Sequence, residues 1–205
     1  MKLILVRHTE TIWNRDKRIQ GGSSDIALSE VGIRQAHLLA KFFEGENIAA
    51  IASSPLQRAL NTATIIAEPH GLRVKEDAGF KELEVGELEG LSWADLGTSF
   101  TQFLLQEWQG QGTVGVKGGE SFVQLQQRSW DSVEQLRREC DGDSVIVVSH
   151  YFATLSIIFK ALGLSPEYLP KFRIANGGIS IVEFTSNGPR LTAFNNTSFL
   201  NCGKS

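Results

Sequence analysis

The sequence has little cysteine, no long apolar run and no excess of one charge, and each lack removes a class of protein. Cys140 and Cys202 are too few for a disulfide scaffold and show no metal-ligand spacing. They fit inert packing or a loose tail. No apolar stretch approaches the roughly 18 residues of a membrane span, because Lys160 interrupts the best candidate. The apolar start Leu3 to Val6 runs straight into Arg7 and His8, unlike a signal peptide, so a cytoplasmic protein is expected. Twenty basic residues against 23 acidic ones leave a formal charge of −3, too balanced for nucleic-acid or membrane binding through bulk charge.

Several catalytic patterns are missing too. There is no GxxxxGK[ST] phosphate loop, no GxSxG nucleophile elbow and no HExxH zinc helix. Gly110 to Gly115 matches the dinucleotide fingerprint by letter, but it follows a helical pattern rather than a first strand and reads as a loop. His8-Thr9-Glu10 fits half of a zinc-deaminase signature whose Pro-Cys-x-x-Cys partner does not occur. With four histidines and no ligand pairing, neither a metal nor a cofactor is expected.

What is present is a globular composition, 41% hydrophobic and 21% charged over 205 residues. One domain over 1–205 is expected, with a lid-like insertion at about 90–120. Lys2–Arg7 reads as a short strand. Ser29 N-caps a helix to about Glu46 with a stripe of Ile33, Ala36, Ala40 and Phe43. Further strands are expected at 49–53 and 72–75, and a helix follows Pro55 until Pro69 and Gly71 stop it. Residues 99–108 look helical, and Ser121 opens a helix carrying Phe122, Leu125, Val133 and Leu136. Ser144–Val148 has the continuous apolar character of a strand buried on both faces, and a helix from Tyr151 to Leu162 follows. Strands at 179–184 and 190–194 close the chain around a Ser186-Asn187-Gly188 turn.

Alternating strands and helices predict an α/β three-layer sandwich with a mostly parallel sheet of about six strands and helices on both faces. Ligands of such sheets bind beyond the carboxyl ends of the strands. Three polar groups fall there: Arg7-His8, Ser53-Ser54 and Ser149-His150. Two histidines at strand ends, with arginines, describe a cationic pocket for a tetrahedral oxyanion. Solvated turns are the plainer alternative.

The residues also resemble a known family. Arg7-His8-x-Glu10-Thr11-x-x-Asn14 is followed by Leu28-Ser29-x-x-Gly32-x-x-Gln35-Ala36 and by Ser53-Ser54-Pro55-Leu56-Gln57-Arg58-Ala59-x-x-Thr62-Ala63. Next come Lys81-Glu82-Leu83-x-x-Gly86-x-x-Glu89-Gly90, Gly118-Gly119-Glu120-Ser121, Val148-Ser149-His150 and Asn195-Asn196-Thr197. In this order, over nearly the whole chain, they are similar to the phosphoglycerate-mutase-like branch of the histidine phosphatase superfamily. The resemblance implies that His8 is the phosphorylated nucleophile and that Arg7, Arg58 and His150 bind phosphoryl oxygens with Asn14. It implies Glu82 as general acid and then base, with Gln20 and Gly21 lining the substrate entrance.

The chemistry agrees. Arginine forks neutralise phosphoryl oxygens without deprotonating. A neutral His8 attacks, and Glu82 must hold a proton near neutrality; a bound phosphate and its neighbours Glu84, Glu87 and Glu89 would raise its pKa. Arg58 could instead pair with surface charge such as Glu68, and Thr62 could simply pack its helix. Thr9 and Tyr151 stand where the family usually has glycine, so both are expected to narrow or reshape the pocket.

The expected activity is metal-independent hydrolysis of a small phosphorylated metabolite, of which alpha-ribazole phosphatase would be one case. A cofactor-dependent phosphoglycerate mutase is the alternative, disfavoured because mutases that this chain resembles are expected to be longer and because Lys117 is the only basic residue between Leu91 and Glu120. That weakly charged lid favours a neutral or apolar leaving group. A non-catalytic phosphate-binding module is the third reading. Sequence does not fix the oligomeric state.

Overall fold

Strand β1 (Lys2–Arg7) sits near the middle of a six-stranded sheet and sets up both sides of the molecule, because its side chains alternate between two cores. Leu3 and Leu5 face one core, and Ile4 and Val6 the other. The computed structural model describes residues 1–96, 115–140 and 142–201. The expected helix at 99–108 and most of the expected insertion lie outside these residues.

A short helix α1 (Ile12–Arg15) follows β1, then α2 (Glu30–Phe43), β2 (Ala50–Ser53), α3 (Gln57–Ala67) and β3 (Val74–Glu76). Past the 3₁₀ turns of residues 78–96 come α4 (Phe122–Glu139), β4 (Ser144–Ser149) and α5 (Tyr151–Leu162). The hairpin β5 (Ile179–Thr185) and β6 (Gly188–Asn196) completes the sheet in the order β3-β2-β4-β1-β5-β6. The first four of these strands run parallel, while β5 and β6 pair antiparallel. Helices α2 and α3 cover one face through Leu39, Phe43, Ala59, Ala63 and Ile66. The other face is covered by α4 and α5 through Phe122, Leu125, Leu155 and Phe159. The three-layer α/β sandwich is therefore present.

Local chemistry sets the helix starts. The Ser29 hydroxyl accepts from Gly32 N–H, and Ser121 forms a reciprocal capping box with Gln124. Two details differ from expectation. Ile33 is 44% exposed, and Gly32 and Leu39 take its place in the buried stripe of α2. Gly32 is needed there, since a Cβ would lie 2.0 Å from the Glu10 carbonyl oxygen. The third strand also starts two residues late, at Val74, where pairing with Ile51 begins.

The register places the site. Arg7 pairs with Ser149 and Ser53 with Val148, so β1, β4 and β2 end side by side. β1 leads to α2 on one face and β4 to α5 on the other. The crevice between such diverging connections is where ligands enter parallel sheets. Among the described residues no helix is long and apolar enough to cross a membrane.

Candidate active site

A cavity of about 880 Å³ opens at this crevice, lined by Arg7, His8, Asn14, Gln20, Glu82 and Tyr151 among others. His8 follows β1 directly, and its backbone N–H donates to the Ser149 carbonyl, continuing the β1–β4 pairing by one residue. The side chain is only 3% exposed. Its Nδ1 lies 2.8 Å from the Thr9 carbonyl oxygen, which can only accept, so Nδ1 carries the hydrogen. The Nε2 lone pair is then left for a ligand. Burial, with Arg58 and Arg7 nearby, holds the His8 pKa well below 6.5 and the ring neutral.

Around His8, cations and amides are held by their own partners. Arg7 donates Nη1 to the Ile174 carbonyl at 2.6 Å and lies over the Tyr151 ring, while its buried Nε has no partner among the described residues. Asn14 Oδ1 accepts from Thr11 N–H and Asn176 Nδ2, which aims the Asn14 amide nitrogen away from these groups. Gln20 Oε1 accepts from Thr11 Oγ at 3.0 Å, and its buried Nε2 has no partner among the described residues. Two unpaired buried donors on one cavity wall suit an oxyanion, because leaving them unmade is costly.

Arg58 and His150 lie one layer beneath. Neither has exposed surface. Arg58 donates Nη1 to the Ser24 carbonyl, Nη2 to the Gly21 carbonyl and Nε to His150 Nδ1. It does not pair with Glu68, and burial lowers its pKa to about 10, so it stays cationic at neutrality. Because Arg58 donates to Nδ1, His150 carries its hydrogen on Nε2, 2.8 Å from Ser54 Oγ. Burial beside Arg58 keeps this ring neutral as well. The His8 and His150 ring centres are 5.2 Å apart.

Glu82, 4% exposed, sits at the start of α5. Its carboxylate accepts from the N–H groups of Leu83, Phe152 and Ala153. Burial raises its pKa, against those hydrogen bonds and the pull of Arg58 and Arg7. The acidic neighbours do not supply the rise. Glu84 pairs with Lys81, Glu87 with Lys117, and Glu89 accepts from Gly21 N–H.

Three expectations are corrected by these positions. Gly21 does not line the cavity; its carbonyl and N–H hold Arg58 and Glu89. Thr9 does not narrow it either, being fully buried with its hydroxyl 3.2 Å from that of Thr62. Thr62 thus ties α3 to the His8 segment rather than only packing its helix. Tyr151 does form cavity wall, held by a bond from its hydroxyl to the Phe172 carbonyl. Sequence reasoning missed Asn176, which donates to the His8 carbonyl, and the mouth residues Arg18, Trp93 and Arg173. All four are in loops or turns, where no periodicity marks them.

Comparison with known proteins gives the family of the chain. Residues 3–197 match the histidine phosphatase superfamily, branch 1. A Yersinia pestis protein named "Probable phosphoglycerate mutase GpmB" is 35% identical over 184 residues, 90% of this chain and 85% of that one. The structure of a phosphoserine phosphatase from Entamoeba histolytica, in complex with 3-phosphoglyceric acid, superposes with TM-score 0.86 at 33% identity, covering 97% of this chain and 98% of that one. A mycobacterial glucosyl-3-phosphoglycerate phosphatase gives 0.83 at 27% identity, over 96% and 99%. With a match spanning nearly its whole length, the chain belongs to the histidine phosphatase superfamily.

Proposed function

We propose that this protein is a metal-independent phosphomonoesterase acting on a small phosphorylated metabolite through a phosphohistidine. The observation that carries the reading is the neutral, oriented His8 ring, with Nδ1–H on the Thr9 carbonyl and Nε2 available to a cavity that Glu82 also lines. The Nε2 lone pair attacks phosphorus and the bond to the ester oxygen breaks. The departing oxygen takes the Glu82 proton. Water then attacks the phosphohistidine, gives a proton to the Glu82 carboxylate, and the P–N bond breaks to release phosphate. Arg7, Asn14 and Gln20 bind the phosphoryl oxygens directly. Arg58 supplies fixed positive charge from below, and His150 Nε2–H, shared with Ser54, is the remaining donor.

The leaving group is better read from the cavity mouth than from the weakly charged segment 91–120. Arg18 and Arg173 both line the cavity, and neither makes an ion pair among the described residues. An ester with a second anionic group, such as a carboxylate, fits these cations. Arg173→Gln is therefore expected to raise KM for phosphoserine by about three- to tenfold, a modest effect for an exposed charge. Its KM for p-nitrophenyl phosphate should stay within about twofold, because an apolar leaving group gains little from an exposed charge. Equal changes for both esters would contradict an anion site.

Phosphoglycerate mutase is the competing reading, and length does not exclude it, since the Yersinia relative is of similar size. A panel of phosphate esters assayed with EDTA separates the two. Hydrolysis that survives the chelator is expected; isomerisation of phosphoglycerate with added bisphosphate, in place of hydrolysis, would overturn the proposal. Glu82→Gln should lower kcat/KM by about 10²–10⁴ on alkyl esters and much less on p-nitrophenyl phosphate, whose anion leaves without a proton. Equal losses would remove Glu82 as the acid.

A further inference from the structure

Glu82 reaches the cavity from a segment with almost no regular structure, and the question is what holds it there. Residues 78–84 carry no strand ladder, and side chains satisfy several of the main-chain groups that turn and loop bonds leave over. Arg128, on the second turn of α4, serves the carbonyls around Glu82. Its Nη1 donates to the carbonyls of Gly79 and Lys81 at 2.9 and 2.8 Å, and its Nη2 to the carbonyl of Glu82 itself at 2.9 Å. The same guanidinium makes a two-pronged bond to the Glu120 carboxylate, through Nε and Nη2. Glu120 continues the grip. Its carboxylate accepts from Glu84 N–H at 3.1 Å, and its own N–H donates to the Glu84 carbonyl at 2.9 Å. The peptide bearing Glu82 is thus held on its own carbonyl and again two residues later.

We propose that Arg128 and Glu120 form a clamp that aims the Glu82 carboxyl group at the leaving-group oxygen, so that both are positioning residues for proton transfer. This rests on the reading of Glu82 as the acid. Neither residue lines the cavity, so neither touches substrate. The pair is also more than a surface ion pair, with side chains 27% and 15% exposed. Nor is it the only anchor of the loop. Ser129 bonds the Gly79 carbonyl, Ser149 bonds that of Phe80, and Asp77 caps the Gly79 N–H. Those bonds remain when Arg128 is replaced, so the loop stays attached while the Lys81–Glu82 peptides lose their donors. Only arginine has the planar fork to serve three carbonyls and a carboxylate together; a lysine ammonium cannot.

The test compares Arg128→Lys, Glu120→Gln and Glu82→Gln with the wild type. It measures kcat/KM, which reports steps up to phosphoryl transfer, on phosphoserine and on p-nitrophenyl phosphate. Inhibition by inorganic phosphate and thermal melting are measured alongside. Arg128→Lys is expected to lose at least about 30-fold on phosphoserine and less than about threefold on the nitrophenyl ester, since an ångström of misplacement costs proton transfer that much. Its phosphate inhibition constant should not change, which a general loosening of the fold would not allow. Should Arg128→Lys fail to fold, Glu120→Gln carries the same test with a smaller loss in the same direction. Equal losses on the two esters, or an unchanged phosphoserine rate in a folded variant, would overturn the clamp. If Glu82→Gln discriminates between the esters and the clamp variants do not, the clamp alone is wrong. If Glu82→Gln does not discriminate, the acid assignment falls and the clamp with it.

Discussion

His8→Ala is expected to abolish turnover, by at least about 10⁴-fold, because among the described residues no other cavity-lining group offers a neutral, oriented lone pair. Asn14, which also has nitrogen on the wall, holds its oxygen in hydrogen bonds from Thr11 N–H and Asn176 and presents an amide that is no nucleophile. The groups proposed to bind phosphate have other anchors. Arg7 is tied to Ile174, and Arg58 to Gly21 and Ser24, so His8→Ala should still bind inorganic phosphate. Steady-state rates on p-nitrophenyl phosphate and phosphate titration of the same preparation check both halves. A variant keeping a few per cent of wild-type activity would remove His8 as the nucleophile.

Arg58→Ala should damage stability and activity together. The side chain is wholly buried, and its loss strands the Gly21 and Ser24 carbonyls and the Nδ1 of His150 without donors. Two buried acceptors and a part-buried one left unpaired, with a vacated space, amount to about 3–5 kcal/mol of lost stability. Removing the fixed charge beneath the phosphoryl group should lower kcat/KM by at least about 10²-fold as well. Arg58→Lys separates the two effects: it restores charge without the fork, so activity should recover more than stability does. Denaturant unfolding and kinetics on the two variants measure this. An Arg58→Ala protein as stable as the wild type would show that the arginine is not the structural floor of the site.

The elements that were legible in the sequence are those that bury a whole side or a whole strand. Ser144–Ser149 reads as a strand because both of its faces are covered, and Tyr151–Leu162 as a helix because it begins where that strand stops. Arg7-His8 and Ser149-His150 stand out as a candidate site from the abrupt change of apolar strand to polar side chains. Less visible were features set by tertiary contact. Nothing local says that Gly32 must face Glu10 and leave Ile33 outside, or that Thr9 turns toward Thr62 rather than into the pocket. Glu82 sits in an acidic run, and only the fold shows that burial, not those neighbours, raises its pKa. Asn176 and Arg173 reach the site from the irregular chain before β5, and Arg128 acts on Glu82 across 46 residues of sequence.

Trapping the enzyme in a single turnover on a labelled phosphate ester, with EDTA present, tests the central claim most directly. The account predicts a phosphoenzyme that is stable in alkali and labile in acid, as a phosphoramidate is, and that is absent from His8→Ala. An acid-stable phosphoenzyme, or one that still forms in His8→Ala, would contradict it.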